Sequence, residues 1–291
     1  MSAAGGVISR GRGRRGTVGA MRDIDLVVTD LDGTLWGADE RIHPRTLDAL
    51  RTLEVRDVPV LVATGRRLRS AAGTLARGTA RLDALVVLDG ALGRDLGADR
   101  VFHRVAFEPW QAQAVLASFE DAGLSPCVYV DRDDAEVLVG PEPSTHPRHA
   151  QTVGRWLCEE DDLAGAAQAE AVLMFSIVGG DEQQLAPVAE AIEPAVATAA
   201  VTRDIIVGGS TLTVRPPGIS KWQGVLAWCA DQGLDPGRVL AVGDGQNDLE
   251  LLAAAKVACV VADGCDDALA LADHVVAPAA MGGWASICEL L

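Results

Sequence analysis

The sequence lacks a long uninterrupted hydrophobic run, although 49% of its 291 residues are hydrophobic. Its longer apolar stretches are broken by charge, as residues 249–262 are by Glu250 and Lys256, and none approaches the roughly 18 apolar residues of a membrane-spanning helix. No apolar segment follows the basic N-terminal residues, so a secretory signal is not expected. We therefore expect a globular protein of the cytoplasm that does not act at a membrane.

The six cysteines form no Cys-x-x-Cys pair. Several lie among Ala and Val, which favours buried, reduced thiols over disulfides. His146 and His149 lie close together, but two histidines without a third ligand nearby do not make a zinc site. We expect a polar loop around them.

Basic residues are scarce, since 25 Lys and Arg oppose 41 Asp and Glu for a formal net charge of −16. Residues 1–20 contain four arginines and no acidic residue, so the rest of the chain is more acidic still. This balance disfavours a body that binds nucleic acid. Most of the acidic surplus is expected on the solvated surface, and a part of it falls in motifs suited to metal ions.

Residues 1–20 are rich in Gly, Ala, Ser and Arg and have almost no apolar periodicity, which predicts a disordered basic tail. Folded structure is expected to begin near Met21. The tail has three possible interpretations: an arm that contacts nucleic acid, a weak targeting peptide, or an inert extension upstream of a genuine start at Met21. We favour the last.

Strand and helix patterns alternate at both ends of the chain. A buried strand at residues 24–29, a helix from Pro44 and a second strand at residues 58–63 predict a parallel βαβ unit. Between residues 100 and 215 several strand-like runs are joined by tight polar turns, as in antiparallel hairpins, and the α/β alternation then resumes. The pattern predicts a doubly wound parallel-sheet α/β core of residues 21–90 and 212–291, with an inserted α+β module of residues 91–211.

Clusters of polar residues follow the predicted buried strands of the core. Because the carboxyl ends of parallel strands meet at one edge of a sheet, these residues are expected to converge although they are far apart in sequence. The members of this set are Asp30, Asp32, Thr64, Lys221, Asp244 and Asp248.

The converging set suits phosphoryl transfer, which needs a nucleophile, a hard cation and donors for the phosphate oxygens. Asp30 can attack phosphorus to form an aspartyl-phosphate, and Asp32 can protonate the leaving alcohol and later deprotonate the attacking water. The carboxylates of Asp30 and Asp244, with the backbone carbonyl of Asp32, suit Mg²⁺. Lys221 and the Thr64 hydroxyl can bind the phosphate, which Gly33 and Gly65 allow backbone amides to approach.

Four segments in this order resemble the four motifs of the haloacid dehalogenase superfamily. They are Asp-Leu-Asp-Gly-Thr at residues 30–34, Ala-Thr-Gly-Arg at 63–66, Lys221, and Gly-Asp-Gly-Gln-Asn-Asp at 243–248. The long interval before Lys221 resembles the C2 cap of the type IIB, Cof-like phosphatases. The resemblance implies a Rossmann-like core with a C2-type cap, and a Mg²⁺-dependent phosphatase that acts on a small phosphorylated metabolite such as a sugar phosphate or a phosphorylated cofactor.

The resemblance also implies a role for each matching residue. Asp30 is the expected nucleophile, Asp32 the expected acid and base, and Asp244 a metal ligand, with Asp248 in the outer shell of the metal. The residues expected on the phosphate are Gly33, Thr34, Thr64, Gly65, Lys221 and Asn247, of which Asn247 also supports the metal site.

Some assignments stay open at this point. Arg66 can reach the substrate or pair with a structural acid, Lys221 can be an ordinary exposed lysine, and Asp248 can be only a helix cap. Two departures from the family pattern, Asp89 at the junction between core and cap and Trp222 after the motif lysine, leave room for a different substrate preference. The alternative functions are a phosphomutase or phosphotransferase on the same scaffold, and a metabolite-binding protein without catalysis.

Overall fold

A computed structural model describes residues 24–76, 82–204 and 207–291. The predicted disordered tail, residues 1–20, lies outside the described residues. Within the described ranges, no helix is both long and apolar enough to cross a membrane.

The described residues form two sheets, and the larger one contains eight strands in the order β14-β13-β12-β1-β2-β3-β4-β5. The pairs from β14 through β3 are parallel, and the last two pairs are antiparallel. The strands of this sheet are β1 Leu26–Thr29, β2 Val60–Ala63, β3 Ala84–Val87, β4 Leu92–Asp95, β5 Arg100–Arg104, β12 Val239–Gly243, β13 Val257–Val261 and β14 His274–Val276.

Helices cover both faces of the larger sheet. Val27 and Leu240 pack on one face with Leu50 of helix α1, whereas Val28 and Ala241 pack on the other face in a separate cluster that contains Val225 of α7. Strands that are apolar on both sides need a helix layer on each side, which explains the nearly continuous apolar runs of β1 and β12. The helices of this part are α1 Pro44–Val55, α2 Leu68–Leu75, α7 Lys221–Gln232, α8 Leu249–Ala254 and α9 Asp266–Leu269.

The smaller sheet contains six strands in the order β10-β11-β9-β6-β7-β8, antiparallel except for the parallel pair β7–β8. Its strands are β6 Cys127–Tyr129, β7 Val137–Val139, β8 Leu157–Glu159, β9 Met174–Gly180, β10 Thr198–Arg203 and β11 Ser210–Arg215. Its helices are α3 Pro109–Asp121, α4 Pro147–Val153, α5 Leu163–Ala169 and α6 Glu182–Ala191.

Alternate residues of the smaller sheet face different partners. Val128 and Phe175 pack in one apolar cluster with Phe119 of α3, whereas Tyr129 and Met174 belong to the cluster that also contains residues of the larger sheet. One face of the smaller sheet is therefore covered by its own helices and the other faces the core. This is the predicted fold class, a doubly wound α/β core that carries an inserted α+β cap, and it is confirmed.

The chain changes sheets later than the sequence suggested. The cap was expected to begin at residue 91, but β4 and β5 pair with β3 and extend the larger sheet. They form an antiparallel hairpin beyond the last parallel strand, and an antiparallel pattern in the sequence does not reveal to which sheet a hairpin belongs. The return is also later than residue 211, since β11 ends at Arg215. The assignment of residues to two domains stays a prediction.

Candidate active site

The ends of three adjacent parallel strands place the polar motifs together. Asp30 follows β1, Thr64 follows β2 and Asp244 follows β12, and β1 lies between β12 and β2 in the sheet. Lys221 enters the same edge as the first residue of α7. The convergence that the sequence predicted therefore occurs.

Lys221 lies at the centre of this edge and is completely buried. Its ammonium group donates hydrogen bonds of 2.7 Å to Oδ1 of Asp30 and 2.7 Å to Oδ1 of Asp248. Burial by itself lowers the pKa of Lys221, but the charges of Asp248 and Asp30 outweigh it and raise the pKa well above its usual value. Lys221 is not the exposed helix lysine that its local sequence allowed, and it carries a permanent positive charge among carboxylates.

Asp248 supports both Lys221 and the loop that follows β12. Its Oδ2 accepts hydrogen bonds of 3.0 Å from the backbone amides of Asp244 and Gly245, while Oδ1 binds Lys221. The side chain is fully buried. Asp248 therefore acts as a local cap and also reaches the charged cluster, so the two interpretations of its position are compatible.

Asp30, Asp244 and Asp248 place one carboxylate oxygen each within 4.8 Å of one another. Burial and the neighbouring carboxylates raise the pKa of Asp30 well above its usual value, against the opposing effect of Lys221. Burial, followed by the charge of Asp248, raises the pKa of Asp244 to about 6. The three carboxylates offer oxygen donors close together, and the single charge of Lys221 balances only part of their negative charge. Such a group of oxygens fits a divalent cation.

Residues of the segment 30–34 also position the side chain of Asp244. The hydroxyl of Thr34 donates a 2.8 Å hydrogen bond to Oδ1 of Asp244. Gly33 has φ of +79°, and a Cβ built there would lie 2.4 Å from Oδ2 of Asp244. A glycine is required at this position both by the left-handed backbone and by the close approach of the carboxylate. Thr34, predicted to lie on the phosphate, contacts the carboxylate of Asp244 in this structure.

Asp32 is held by Arg66. The Nε and one terminal nitrogen of the guanidinium donate hydrogen bonds of 2.6 Å to the two oxygens of Asp32, and the indole N–H of Trp36 donates a third, of 3.0 Å. The same terminal nitrogen of Arg66 donates a 2.6 Å bond to Glu40. The sequence left open whether Arg66 contacts the substrate or pairs with an acidic residue. In the structure it pairs with two acidic residues, Asp32 and Glu40.

Thr64 and Gly65 follow β2 at the same edge of the sheet. The Thr64 hydroxyl is buried and accepts a 3.2 Å hydrogen bond from the backbone amide of Arg66. A Cβ at Gly65 would lie 3.0 Å from Oδ1 of Asp89, which leaves little room for a side chain. Asn247 donates a 2.9 Å hydrogen bond to that same oxygen.

Asp89 also lies in this site, although its sequence position indicated only a departure from the family pattern. It is buried, has φ of +51°, and lies 3.6 Å from the guanidinium of Arg215 at the end of β11. The signal that could have identified it is its position, because Asp89 comes two residues after the parallel strand β3. The rule that selected the residues after β1, β2 and β12 applies equally to β3.

The two cap histidines lie at helix α4. His146 precedes the first residue of α4, and its Nδ1 accepts a 3.2 Å hydrogen bond from the backbone amide of Arg148. His149 lies 3.0 Å from the hydroxyl of Tyr129, and burial lowers its pKa to about 4. The polar loop expected around the two histidines is wrong, because His146 caps helix α4 and His149 lies within it.

Comparison with known proteins shows the family to which this chain is similar. A family model described as haloacid dehalogenase-like hydrolase matches residues 27–287. A phosphoglycolate phosphatase of Methanopyrus kandleri is 25% identical over 255 residues, which cover 86% of this chain and 90% of that protein. A chloroplastic YBEY endoribonuclease of Arabidopsis thaliana is 24% identical over 261 residues, which cover 86% of this chain but 43% of that protein. The chain thus spans less than half of the latter relative.

Among solved structures, a sugar phosphatase of haloacid dehalogenase subclass IIB superimposes with a TM-score of 0.73 at 20% identity. The match covers 91% of this chain and 98% of that one. Because both the core and the inserted cap are included, the likeness extends over the whole architecture.

Proposed function

The chain belongs to the haloacid dehalogenase-like hydrolases, among the phosphatases with an inserted cap, and we propose that it releases phosphate from a small phosphorylated metabolite through an aspartyl-phosphate on Asp30. The proposed substrates are sugar phosphates or phosphorylated cofactors. One observation carries the proposal: the carboxylates of Asp30, Asp244 and Asp248, which come from two distant segments, meet at the carboxyl edge of the sheet, where the buried ammonium of Lys221 binds Asp30 and Asp248.

Asp30 is the proposed nucleophile. Lys221 binds its Oδ1, which leaves Oδ2 as the oxygen that attacks phosphorus. The positive charge of Lys221 favours the carboxylate form against the effect of burial. Attack forms an Asp30–phosphorus bond as the bond from phosphorus to the ester oxygen breaks, and this divides a difficult displacement into two easier steps.

Asp32 is the proposed acid and base. It donates a proton to the departing ester oxygen, then accepts a proton from the water that attacks the aspartyl-phosphate and restores the Asp30 carboxylate. Among the described residues, Oδ1 of Asp32 accepts hydrogen bonds from Arg66 and Trp36, whereas Oδ2 accepts only one, from Arg66. Oδ2 therefore keeps a lone pair that can carry the proton while both bonds from Arg66 remain.

Mg²⁺ is the proposed metal. Asp30 and Asp244 would hold it, with Asp248 in support, because Mg²⁺ prefers carboxylate and water oxygens. When bound, it would supply positive charge that favours the attacking carboxylate and the phosphoryl oxygens. Thr64, Gly65 and Lys221 would bind the remaining phosphoryl oxygens.

The cytoplasm is the proposed compartment. The described residues include all six cysteines, and none of them is in a disulfide. Six free thiols, three of them buried, agree with a reducing compartment.

Substitution of Asp30 tests the proposal. Asp30→Asn keeps the size of the side chain, so we expect a folded protein that releases no phosphate from a broad panel of phosphoesters with Mg²⁺ present. Asp39→Asn, an exposed change nearby, is the matched control and should keep wild-type activity. Acid-quenched wild-type protein should carry one phosphoryl group on the peptide that contains Asp30, and hydroxylamine should remove it. Wild-type turnover by Asp30→Asn would contradict the assignment.

A further inference from the structure

A cleft of about 380 Å³ lies beside the proposed active site, between helix α2 of the core and the segment that follows α4 of the cap. Its volume is in the range of small-molecule sites. Four arginines line it, namely Arg66, Arg67, Arg69 and Arg155. Four cationic side chains at one cleft are unexpected in a chain of net charge −16.

Arg66 connects the cleft with the chemistry. Its guanidinium holds both oxygens of Asp32 at 2.6 Å and also lines the cleft. Its second carboxylate partner, Glu40, lies on the same wall. Because Asp32 is the proposed proton donor to the departing alcohol, that alcohol leaves on the side of the site where the cleft opens.

Arg67 and Arg69 are engaged with the cap. Arg67 donates a 2.6 Å hydrogen bond to Oε2 of Glu136, a buried cap residue, and another of 2.6 Å to the carbonyl of Thr152. The backbone amide of Arg69 donates a 2.7 Å bond to Oε1 of Glu136, and its guanidinium lies 3.8 Å from that oxygen. These two arginines join the cap to α2 and share one carboxylate.

Arg155 differs from the other three. Its guanidinium lies 4.4 Å from the ring centre of Trp156, and no carboxylate partner for it occurs among the described residues. Arg69 lies 3.7 Å from the same ring, so Trp156 contacts both guanidinium groups. Cation–π contact holds a guanidinium in place and leaves its N–H donors available to a ligand.

The charges of the cleft do not balance. Four guanidinium groups face three carboxylates, those of Asp32, Glu40 and Glu136, which is an excess of one positive charge, and the exposed Arg155 is the guanidinium without a carboxylate partner among the described residues. A guanidinium binds carboxylate and phosphate through two parallel hydrogen bonds. We propose that the substrate carries a second anionic group, a carboxylate or a second phosphate, which Arg155 binds in this cleft. This inference rests on the proposed phosphatase function.

Matched phosphate esters test whether the substrate carries a second anionic group. The tail of each ester is the group at the end of the carbon chain opposite the phosphate that is released. The set consists of propyl phosphate, 3-phosphooxypropanoate and propane-1,3-diyl bisphosphate, together with their five-carbon counterparts. We expect wild-type kcat/KM to be at least about tenfold higher for the anionic tails than for the neutral tail of equal length, the effect of one partly exposed charge-assisted contact. Preference for one anionic tail over the other identifies the second group.

Arg155→Gln should lower that preference about tenfold, mainly through KM, and Arg155→Lys should retain part of it because the charge remains. Arg203→Gln is the matched control, since Arg203 is an exposed cap arginine on β10, at the opposite edge of the smaller sheet from β8. Equal kcat/KM for neutral and anionic tails, or an unchanged preference in Arg155→Gln, would overturn the inference.

Binding to Asp30→Asn, measured by calorimetry with the same esters, separates the two proposals. Tighter binding of anionic tails without turnover by the wild type would support the cleft and contradict the phosphatase. Turnover of the esters without any preference for anionic tails would support the phosphatase and overturn the cleft. Equal affinity for all tails in Asp30→Asn would likewise overturn the cleft.

Discussion

Replacement of Lys221 by methionine removes the positive charge at the centre of the carboxylate cluster while it keeps most of the apolar stem. The ammonium group is completely buried and lies 2.7 Å from an oxygen of Asp30 and 2.7 Å from an oxygen of Asp248. Asp248 is itself fully buried. The variant therefore leaves buried carboxylates without their cation.

The expected loss of unfolding free energy follows from these two contacts, in which the centres of charge lie farther apart than the bonded atoms. Two unit charges about 4 Å apart attract by about 4 kcal/mol at an effective dielectric constant of about 20, and Lys221 has two such partners. The cost of burying the lysine, several kcal/mol, offsets part of this, and the net loss on removing one partner of a buried ion pair is about 3–5 kcal/mol. Protonation of a carboxylate would reduce the loss, so it should be larger at pH 8 than at pH 5.

Urea denaturation of the metal-free protein at both pH values measures the free energy of unfolding. Lys256→Met is the matched control, because Lys256 is exposed and is the only other lysine of the chain. We expect a loss of at least about 3 kcal/mol at pH 8 for Lys221→Met and less than about 0.5 kcal/mol for Lys256→Met. Phosphate release by Lys221→Met should fall about 10²- to 10³-fold, the effect of one electrostatic contact in the transition state. Stability within about 1 kcal/mol of wild type at pH 8 would refute this account of Lys221.

Two further predictions concern the other carboxylates. Asp32→Asn should reduce phosphate release from alkyl phosphates about 10²- to 10⁴-fold, but much less for p-nitrophenyl phosphate, whose leaving group needs no proton. Equal losses of kcat/KM for the two ester types would contradict a proton-donor role. Burial raises the pKa of Asp244 from 3.8 to about 6, so the native state binds its proton more tightly than the unfolded state does. The metal-free protein should lose roughly 2–3 kcal/mol of unfolding free energy from this group as the pH rises from 4 to above 6. Urea denaturation with a chelator should show a steeper loss in the wild type than in Asp244→Asn, where the raised pKa of Asp30 still contributes, and equal slopes in the two proteins would contradict this account of Asp244.

Much of the site could be predicted from sequence because the rule involved is local. Asp30, Thr64 and Asp244 each follow a short apolar run, and parallel strands bring their carboxyl ends to one edge regardless of the distance along the chain. The order of the strands did not have to be known. The burial of Lys221 could not be predicted from its local sequence, which resembles that of a surface helix. In the structure the side chain is completely buried between Asp30 and Asp248, unlike an ordinary surface lysine.

Contacts that depend on the orientation of side chains could not be predicted. Arg66 binds Asp32 and Glu40 and lies 5.3 Å from the ring centre of Trp36, and these contacts join segments whose sequences do not indicate that they meet. Asn247 was predicted on the phosphate, and in the structure it donates to Asp89.

The sequence by itself determined the α/β core, the inserted cap and the set of carboxylates, because each depends on periodicity or on position relative to a strand end. Only the tertiary structure decided that β4 and β5 extend the core sheet, that Lys221 is buried, and that Glu136 of the cap joins Arg67 of the core. These features require two distant segments to meet. A buried charge is stable only where a partner offsets the cost of its desolvation, and a linear sequence does not show which distant residues share the same volume.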